Sequence, residues 1–190
     1  MPNRSYMKGK ILIILLAILS ISSSAQNRII SDNINEFDLR TILTSSVNIS
    51  HEIAQFSLSF SCKKVEDEQG VFLFYALLKC RQCDKAWYID KDSFLAIEHP
   101  NGSTTYCKAY NSAKPQVKYD KEAKKAFFDW DAEYTIPLND YANISQGISS
   151  CLLQLRNSDN HKSQVKLIVP KETSEEIQAI FNELKNIAGL

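Results

Sequence analysis

The sequence predicts an α+β domain, mostly antiparallel β-structure with one C-terminal helix packed on it. Two observations favour this fold class. Apolar and polar residues alternate with the period of half-buried strands over much of the chain, and a clear helical spacing of apolar residues occurs only after Pro170. The strands also follow one another without the regular strand–helix alternation of a parallel sheet. We therefore expect a sandwich or a strongly curved sheet, and a small barrel with the helix as a lid is the nearest alternative.

The first 25 residues have the features of a secretory signal peptide. Basic residues at 4, 8 and 10 precede an apolar run over residues 11–21, and small residues precede a predicted cleavage after Ala25. The apolar run is shorter than the ~20 residues that a membrane-spanning helix needs. We therefore expect export to the periplasm or the cell exterior, with no integral membrane span after signal removal. An uncleaved anchor is the alternative.

Two further segments follow the predicted signal peptide. Residues 26–50 are polar with scattered apolar side chains, which predicts a loosely ordered N-terminal arm; a short amphipathic helix over residues 37–43 is the alternative. Residues 51–190 predict a single β-rich domain.

A hairpin is predicted at the start of this domain. Serines alternate there with a set of apolar residues: Phe56, Leu58, Phe60 and Cys62. A polar turn over residues 66–70 then precedes an apolar strand over residues 71–78 that is covered on both faces. A hairpin centred near Glu68 places Cys62 opposite Phe74 and Cys80 opposite Phe56. The two cysteines are then ~20 Å apart at ~3.4 Å per residue, too far for a disulfide, which needs α-carbons within ~7 Å.

The rest of the domain follows the same pattern. Further strands are predicted over residues 86–89, 94–98, 103–109, 126–136, 148–155 and 165–169, with a turn at Pro100-Asn101-Gly102. Residues 112–125 predict a surface loop, and residues 137–145 one or two helical turns. The C-terminal helix is predicted over residues 173–187, where Thr173 and Glu176 can form a capping box. Its apolar stripe consists of Ile177, Ile180, Phe181, Leu184 and Ile187.

Charge and glycine spacing exclude several functions. Removal of the signal peptide takes away three basic and no acidic residues, which leaves an excess of three acidic groups. Such a chain lacks the positive charge that nucleic-acid binding requires. The five glycines are widely separated, so neither a phosphate-binding loop nor a serine-hydrolase elbow is present. We expect no cofactor, and a partner that is an unknown protein or a small ligand.

Cysteines carry the most specific chemical signal. Cys80 and Cys83 form a C-x-x-C pair, which is compatible with a redox centre, half of a zinc site, or a structural disulfide, either local or to Cys107. Reduced buried thiols are a further alternative. A strand rather than a helix is predicted after the pair, and no second pair at metal-ligand spacing completes a zinc site. Cys62 and Cys151 share the parity of apolar neighbours, so one of them is the predicted unpaired thiol.

A second candidate site consists of three carboxylates. Asp129, Asp131 and Glu133 alternate along one predicted strand and therefore lie on one face. They could hold a hard cation such as calcium, or they could form a solvated outer face.

These observations together predict a small exported, non-enzymatic binding or interaction module of the cell envelope. The alternative is a thiol–disulfide or metal-binding protein centred on Cys80 and Cys83.

Overall fold

The computed structural model describes residues 28–36, 39–64, 71–83, 85–157, 159 and 161–190, and of residues 82 and 83 it describes the backbone only. The predicted signal peptide and the predicted turn at 66–70 lie outside these residues.

The described chain folds into one antiparallel sheet with a helix packed on one face, so the predicted fold class is confirmed. The strands run in the order β1-β2-β4-β5-β9-β7-β6-β10-β11, with β3 also paired to β4 and β8 to β9. The strands are β1 Ile29–Ile34, β2 Arg40–Thr44, β3 Val47–His51, β4 Ala54–Lys64, β5 Phe72–Cys83, β6 Phe94–Glu98, β7 Thr104–Ala109, β8 Gln116–Asp120, β9 Lys125–Thr135, β10 Ser150–Arg156 and β11 Lys162–Ile168. The sheet curls so that β11 approaches β3.

The β4–β5 hairpin has the predicted register. Cys62 lies opposite Phe74, and Phe56 lies opposite Cys80. The inner face of this hairpin is apolar because alternate residues on both strands are large and hydrophobic; Phe56, Phe60 and Phe74 are each at most 1% exposed. This hairpin forms the centre of the core.

Residues 26–50 differ most from the prediction. Instead of a loosely ordered arm, the segment contains β1, β2 and most of β3, and the alternative helix over residues 37–43 is replaced in part by strand β2. Both β2 and β3 pair with the same edge of β4, one after the other. The physical reason is burial: Ile42, Val47 and Ile49 are at most 3% exposed, so the segment completes the core while its backbone satisfies the edge of β4.

Two smaller corrections concern the middle of the chain. The predicted loop over residues 112–125 contains strand β8, which pairs with β9 and is almost entirely exposed. The predicted strand over residues 86–89 is reduced to two isolated bridges, Tyr88 with Arg156 and Ile89 with Ala113. The predicted turn before β7 is present, and Gly102 has the positive φ of 81° that favours glycine there.

Two helices accompany the sheet. A 3-10 turn at Leu138–Asp140 leads into the short helix α1 (Tyr141–Ile144). These correspond to the one or two helical turns predicted over residues 137–145. Helix α2 (Lys171–Ala188) packs on β2, β3 and β4. Its Phe181 ring centroid lies 5.1 Å from that of Phe60 and 5.5 Å from that of Phe74. No helix in the described ranges has the length and apolarity needed to cross a membrane.

The helix start corrects the predicted capping box. Helix α2 begins at Lys171, directly after Pro170, and no side chain caps its first turn. Thr173 and Glu176 therefore lie inside the helix. Pro170 has a φ of −58°, and its missing N–H costs nothing where the helix begins, so the helix can start earlier than the predicted cap.

Candidate functional site

A groove runs along the outer face of β4, opposite the face that packs on the helix. Its floor is low because the outward residues there are serines, while longer side chains stand on the neighbouring strands. The groove encloses about 440 Å³. We call it the serine groove, and it is lined by Ile30, Leu43, Thr44, Ser46, Asn48, Gln55, Phe56, Ser57, Ser59, Leu77, Lys79 and Arg81.

Strand pairing brings the polar residues of the groove together from three strands. Ser57 on β4 lies between Asn48 on β3 and Lys79 on β5. Gln55, two residues away on the same face, lies opposite Arg81. Directly opposed residues have β-carbons roughly 4.5–5.5 Å apart. The groove therefore has a cationic, amide-rich end, whereas Leu77 and Leu43 lie towards the other end.

Most polar side chains of the groove lack partners within the protein; the exception is Thr44, whose hydroxyl is hydrogen-bonded. Among the residues that the structure describes, no hydrogen bond or ion pair is made by seven lining side chains: Ser46, Asn48, Gln55, Ser57, Ser59, Lys79 and Arg81. Ser59 is the most unusual of them because it is only 7% exposed. Its hydroxyl oxygen has no partner but, unlike that of Ser61, is not fully enclosed, so it is accessible to a ligand in the groove.

The groove is electropositive. Among the described residues no carboxylate lines it, whereas some cations elsewhere are paired, such as Lys63 with Glu133 at 2.7 Å and Lys166 with Glu98 at 2.9 Å. Asp131 lies opposite Lys79 in the β5–β9 register, on the side of β5 away from β4. Lys79 therefore stands between the groove and this carboxylate.

The three predicted carboxylates lie on the outward face of β9. Glu133 pairs with Lys63 and Asp129 with Lys118, each at 2.7 Å, while Asp131 is exposed. In the described part of the chain, no group of three His, Cys, Asp or Glu side chains is arranged to hold a metal ion. The arrangement thus places Asp129 and Glu133 in ion pairs along the sheet.

The described thiols are core residues. Cys62, Cys107 and Cys151 are free and fully buried; burial was predicted for Cys62 and Cys151, but only one of these two was predicted to be unpaired. The prediction of a disulfide to Cys107 is wrong, because Cys107 lies on the inner face of β7 opposite Leu95. Burial raises the pKa of Cys62 to about 11 and that of Cys151 to about 12. These thiols therefore remain protonated at neutral pH.

The C-x-x-C pair lies at the end of β5. Cys80 is 1% exposed and belongs to a strand, so no helix N-terminus adjoins it to activate a thiolate. The side chain of Cys83 lies outside the described residues.

A second hollow of about 620 Å³ lies beside β7, where Tyr106 and Tyr110 are exposed. These tyrosines already contact neighbouring rings, Tyr106 that of Phe94 and Tyr110 that of Tyr75, at centroid distances of 6.0 and 5.5 Å. Its lining also includes the acidic Asp92. The hollow therefore differs from the serine groove in having an acidic side chain and two ring-contacting tyrosines in its lining.

Sequence reasoning did not find the serine groove. The alternating serines and the shared parity of Lys79 and Arg81 were visible, but the opposing wall comes from β3, a segment predicted to be loosely ordered. No protein-family model, no curated protein and no solved structure matches the chain. The fold and the geometry of the groove are thus the observations that bear on function.

Proposed function

We propose that this protein is a small exported, non-enzymatic binding module of the cell envelope, and that the serine groove is its ligand site. The observation that carries the proposal is a groove of about 440 Å³ in which seven polar side chains, among them that of the largely buried Ser59, have no partner in the described structure. A ligand in the groove would supply the missing hydrogen bonds.

The chemistry of the lining supports binding rather than catalysis. Among the described residues, no His, Cys, Asp or Glu belongs to the groove, so these residues supply no acid–base pair there. Ser57 lies opposite Lys79, but no hydrogen bond joins them in the described structure, and a serine nucleophile needs such a bond to its base. Export is supported by the signal-like residues 1–25.

The thiol–disulfide or metal-binding alternative has less support. A redox thiol must be reachable by its substrate, whereas Cys80 is buried within a strand. We therefore keep the groove as the proposed site.

Blocking the groove tests the proposal. Ser57→Trp fills the floor, and Ser112→Trp, at an exposed position outside the groove, is the matched control. Binding of glucose, N-acetylglucosamine, glucuronate, hexanoate and trialanine is measured by ligand-detected NMR, and circular dichroism checks the fold of both variants. We expect at least one compound to bind the wild type and Ser112→Trp but not Ser57→Trp. That compound should be recovered chemically unchanged.

Three outcomes would overturn the proposal. These are the absence of binding by any compound, equal binding by Ser57→Trp, and chemical conversion of the bound compound.

A further inference from the structure

We infer that the serine groove binds a hydroxyl-rich anion, a sugar acid or a sugar phosphate, with the anionic group held by Lys79 and Arg81. The inference rests on the proposed function, since it assigns a ligand class to the same groove.

The two cations are placed to act on one group. Lys79 and Arg81 are two residues apart on β5 and therefore point to the same face, with α-carbons roughly 7 Å apart. Neither forms an ion pair within the described residues, and both line the groove. Arginine binds carboxylate and phosphate through paired N–H groups, and lysine adds a point charge. A carboxylate or phosphate group between them would accept hydrogen bonds from both side chains.

The neutral polar residues favour hydroxyl groups on the rest of the ligand. Ser57 and Ser59 carry hydroxyls, and Asn48 and Gln55 carry amides; each of these groups both donates and accepts hydrogen bonds. A sugar hydroxyl also does both. Leu77, opposite Ser59, offers a limited apolar surface that suits the C–H groups of a sugar ring better than a long alkyl chain.

A large polyanion does not fit this site. Only two cations line the groove, and the chain without its signal-like segment has an acidic excess, whereas polyanion binding draws on many basic contacts. The exposed Asp131, opposite Lys79, also lowers the positive potential at the cationic end. Its neutralisation is expected to strengthen binding of a small anion.

Calorimetric titrations at constant ionic strength test the inference, with glucuronate, glucose 6-phosphate, glucose, hexanoate and inorganic phosphate as probes. We expect glucuronate or glucose 6-phosphate to bind at least about tenfold more tightly than the other three, as charge-assisted and neutral hydrogen bonds act together. The tighter of these two ligands identifies the carboxylate or the phosphate as the preferred anionic group.

Variants localise the effect. The double variant Lys79→Gln/Arg81→Gln is expected to weaken binding of the preferred ligand by about tenfold or more. Lys121→Gln, an exposed charge change outside the groove, should leave it unchanged. Asp131→Asn should tighten it by about twofold.

The results separate the inference from the proposed function. Binding of glucose as tightly as its charged relatives, or unaltered binding by the double variant, overturns the inference, yet the groove remains the ligand site if Ser57→Trp abolishes that binding. Hexanoate or inorganic phosphate that binds as tightly as the sugar anions overturns the hydroxyl-rich ligand class. If none of the five probes binds, the inference is also overturned. The proposed function is then tested separately by the binding of N-acetylglucosamine and trialanine.

Discussion

The two faces of strand β4 differ in whether their side chains have partners. On the inner face, Phe56, Phe60 and Cys62 are at most 1% exposed and belong to the core that helix α2 covers. On the outer face, the side chains of Gln55, Ser57 and Ser59 make no hydrogen bond within the described structure. Because side chains alternate across a strand, one segment contributes to both faces. If the outer face binds a ligand as proposed, we expect that stability and binding can be changed separately.

Polar groups inside the core are mostly satisfied, in contrast to those of the groove. Both ring nitrogens of the buried His99 are hydrogen-bonded, Nδ1 with the carbonyl oxygen of Gly147 at 2.8 Å and Nε2 with Oγ1 of Thr105 at 2.9 Å. The exceptions in the described structure are Ser61 Oγ, Trp87 Nε1, Trp130 Nε1 and Tyr134 OH. The last three belong to large rings held by apolar packing, whereas the unpartnered groups of the groove are mostly serines, amides and cations.

The largest expected effect is on the inner face. Phe181→Ala removes the ring that contacts Phe60, Phe74 and Tyr141 and should lower the free energy of unfolding by ~3–5 kcal/mol, because a buried cavity remains. Chemical denaturation measures it. Glu175→Ala, at an exposed position of the same helix, should change stability by less than ~0.5 kcal/mol. A loss below ~1 kcal/mol in Phe181→Ala would mean that the helix contributes little to the core.

The next effect concerns the edge of β4, between β2 and β3. The buried backbone N–H of Phe60 donates to Oγ1 of Thr44 at 2.9 Å, and this hydroxyl donates to the carbonyl oxygen of Ser45. Thr44→Val leaves the N–H unpaired and should cost about 1–3 kcal/mol of unfolding free energy. Thr44→Ser keeps the hydroxyl and should cost clearly less. A larger loss in Thr44→Ser than in Thr44→Val would show that the methyl group matters more than the hydrogen bond.

Much of this comparison was predictable from the sequence, and the reasons are local. The alternation of apolar residues and serines predicted the two faces of β4, and the expectation of a hairpin centred near Glu68 predicted the register that places Cys62 opposite Phe74. Strand β8 was missed because its residues are exposed, and an exposed edge strand has no apolar alternation. The groove was missed because Asn48, Ser57 and Lys79 come from three strands, and only pairing of β3 with β4 brings them together.

Alkaline pH should lower the free energy of unfolding through the buried thiols of the inner face. Burial raises the pKa of Cys62 to about 11 and that of Cys151 to about 12, above the ordinary value of 9.0. The thiols therefore ionise more easily in the unfolded chain than in the folded protein. Their contribution to the free energy of unfolding is fully present below about pH 9 and is lost as the pH rises through about 11 to 12.

Denaturation midpoints across this range check the expectation. Buried tyrosines such as Tyr141, whose pKa is also raised by burial, contribute in the same direction. The difference between the wild type and Cys62→Ala isolates the thiol, and the variant should lose less stability between about pH 9 and 11. Parallel curves for the two proteins would contradict a thiol contribution.

The smallest effect on stability is expected for substitutions on the outer face of β4. These substitutions distinguish the two faces of the strand most clearly. The hydroxyl of Ser61 is buried without a partner in the described structure, and Ser59 is nearly as buried. Alanine at either position removes no hydrogen bond, and at Ser61 it removes a desolvated hydroxyl, so the free energy of unfolding should stay within ~0.5 kcal/mol or, for Ser61→Ala, rise slightly. Ser59 lines the groove and Ser61 does not. Only Ser59→Ala should therefore weaken ligand binding in the titrations above. If Ser59→Ala lost stability without losing binding, this hydroxyl would belong to the fold and not to the ligand site.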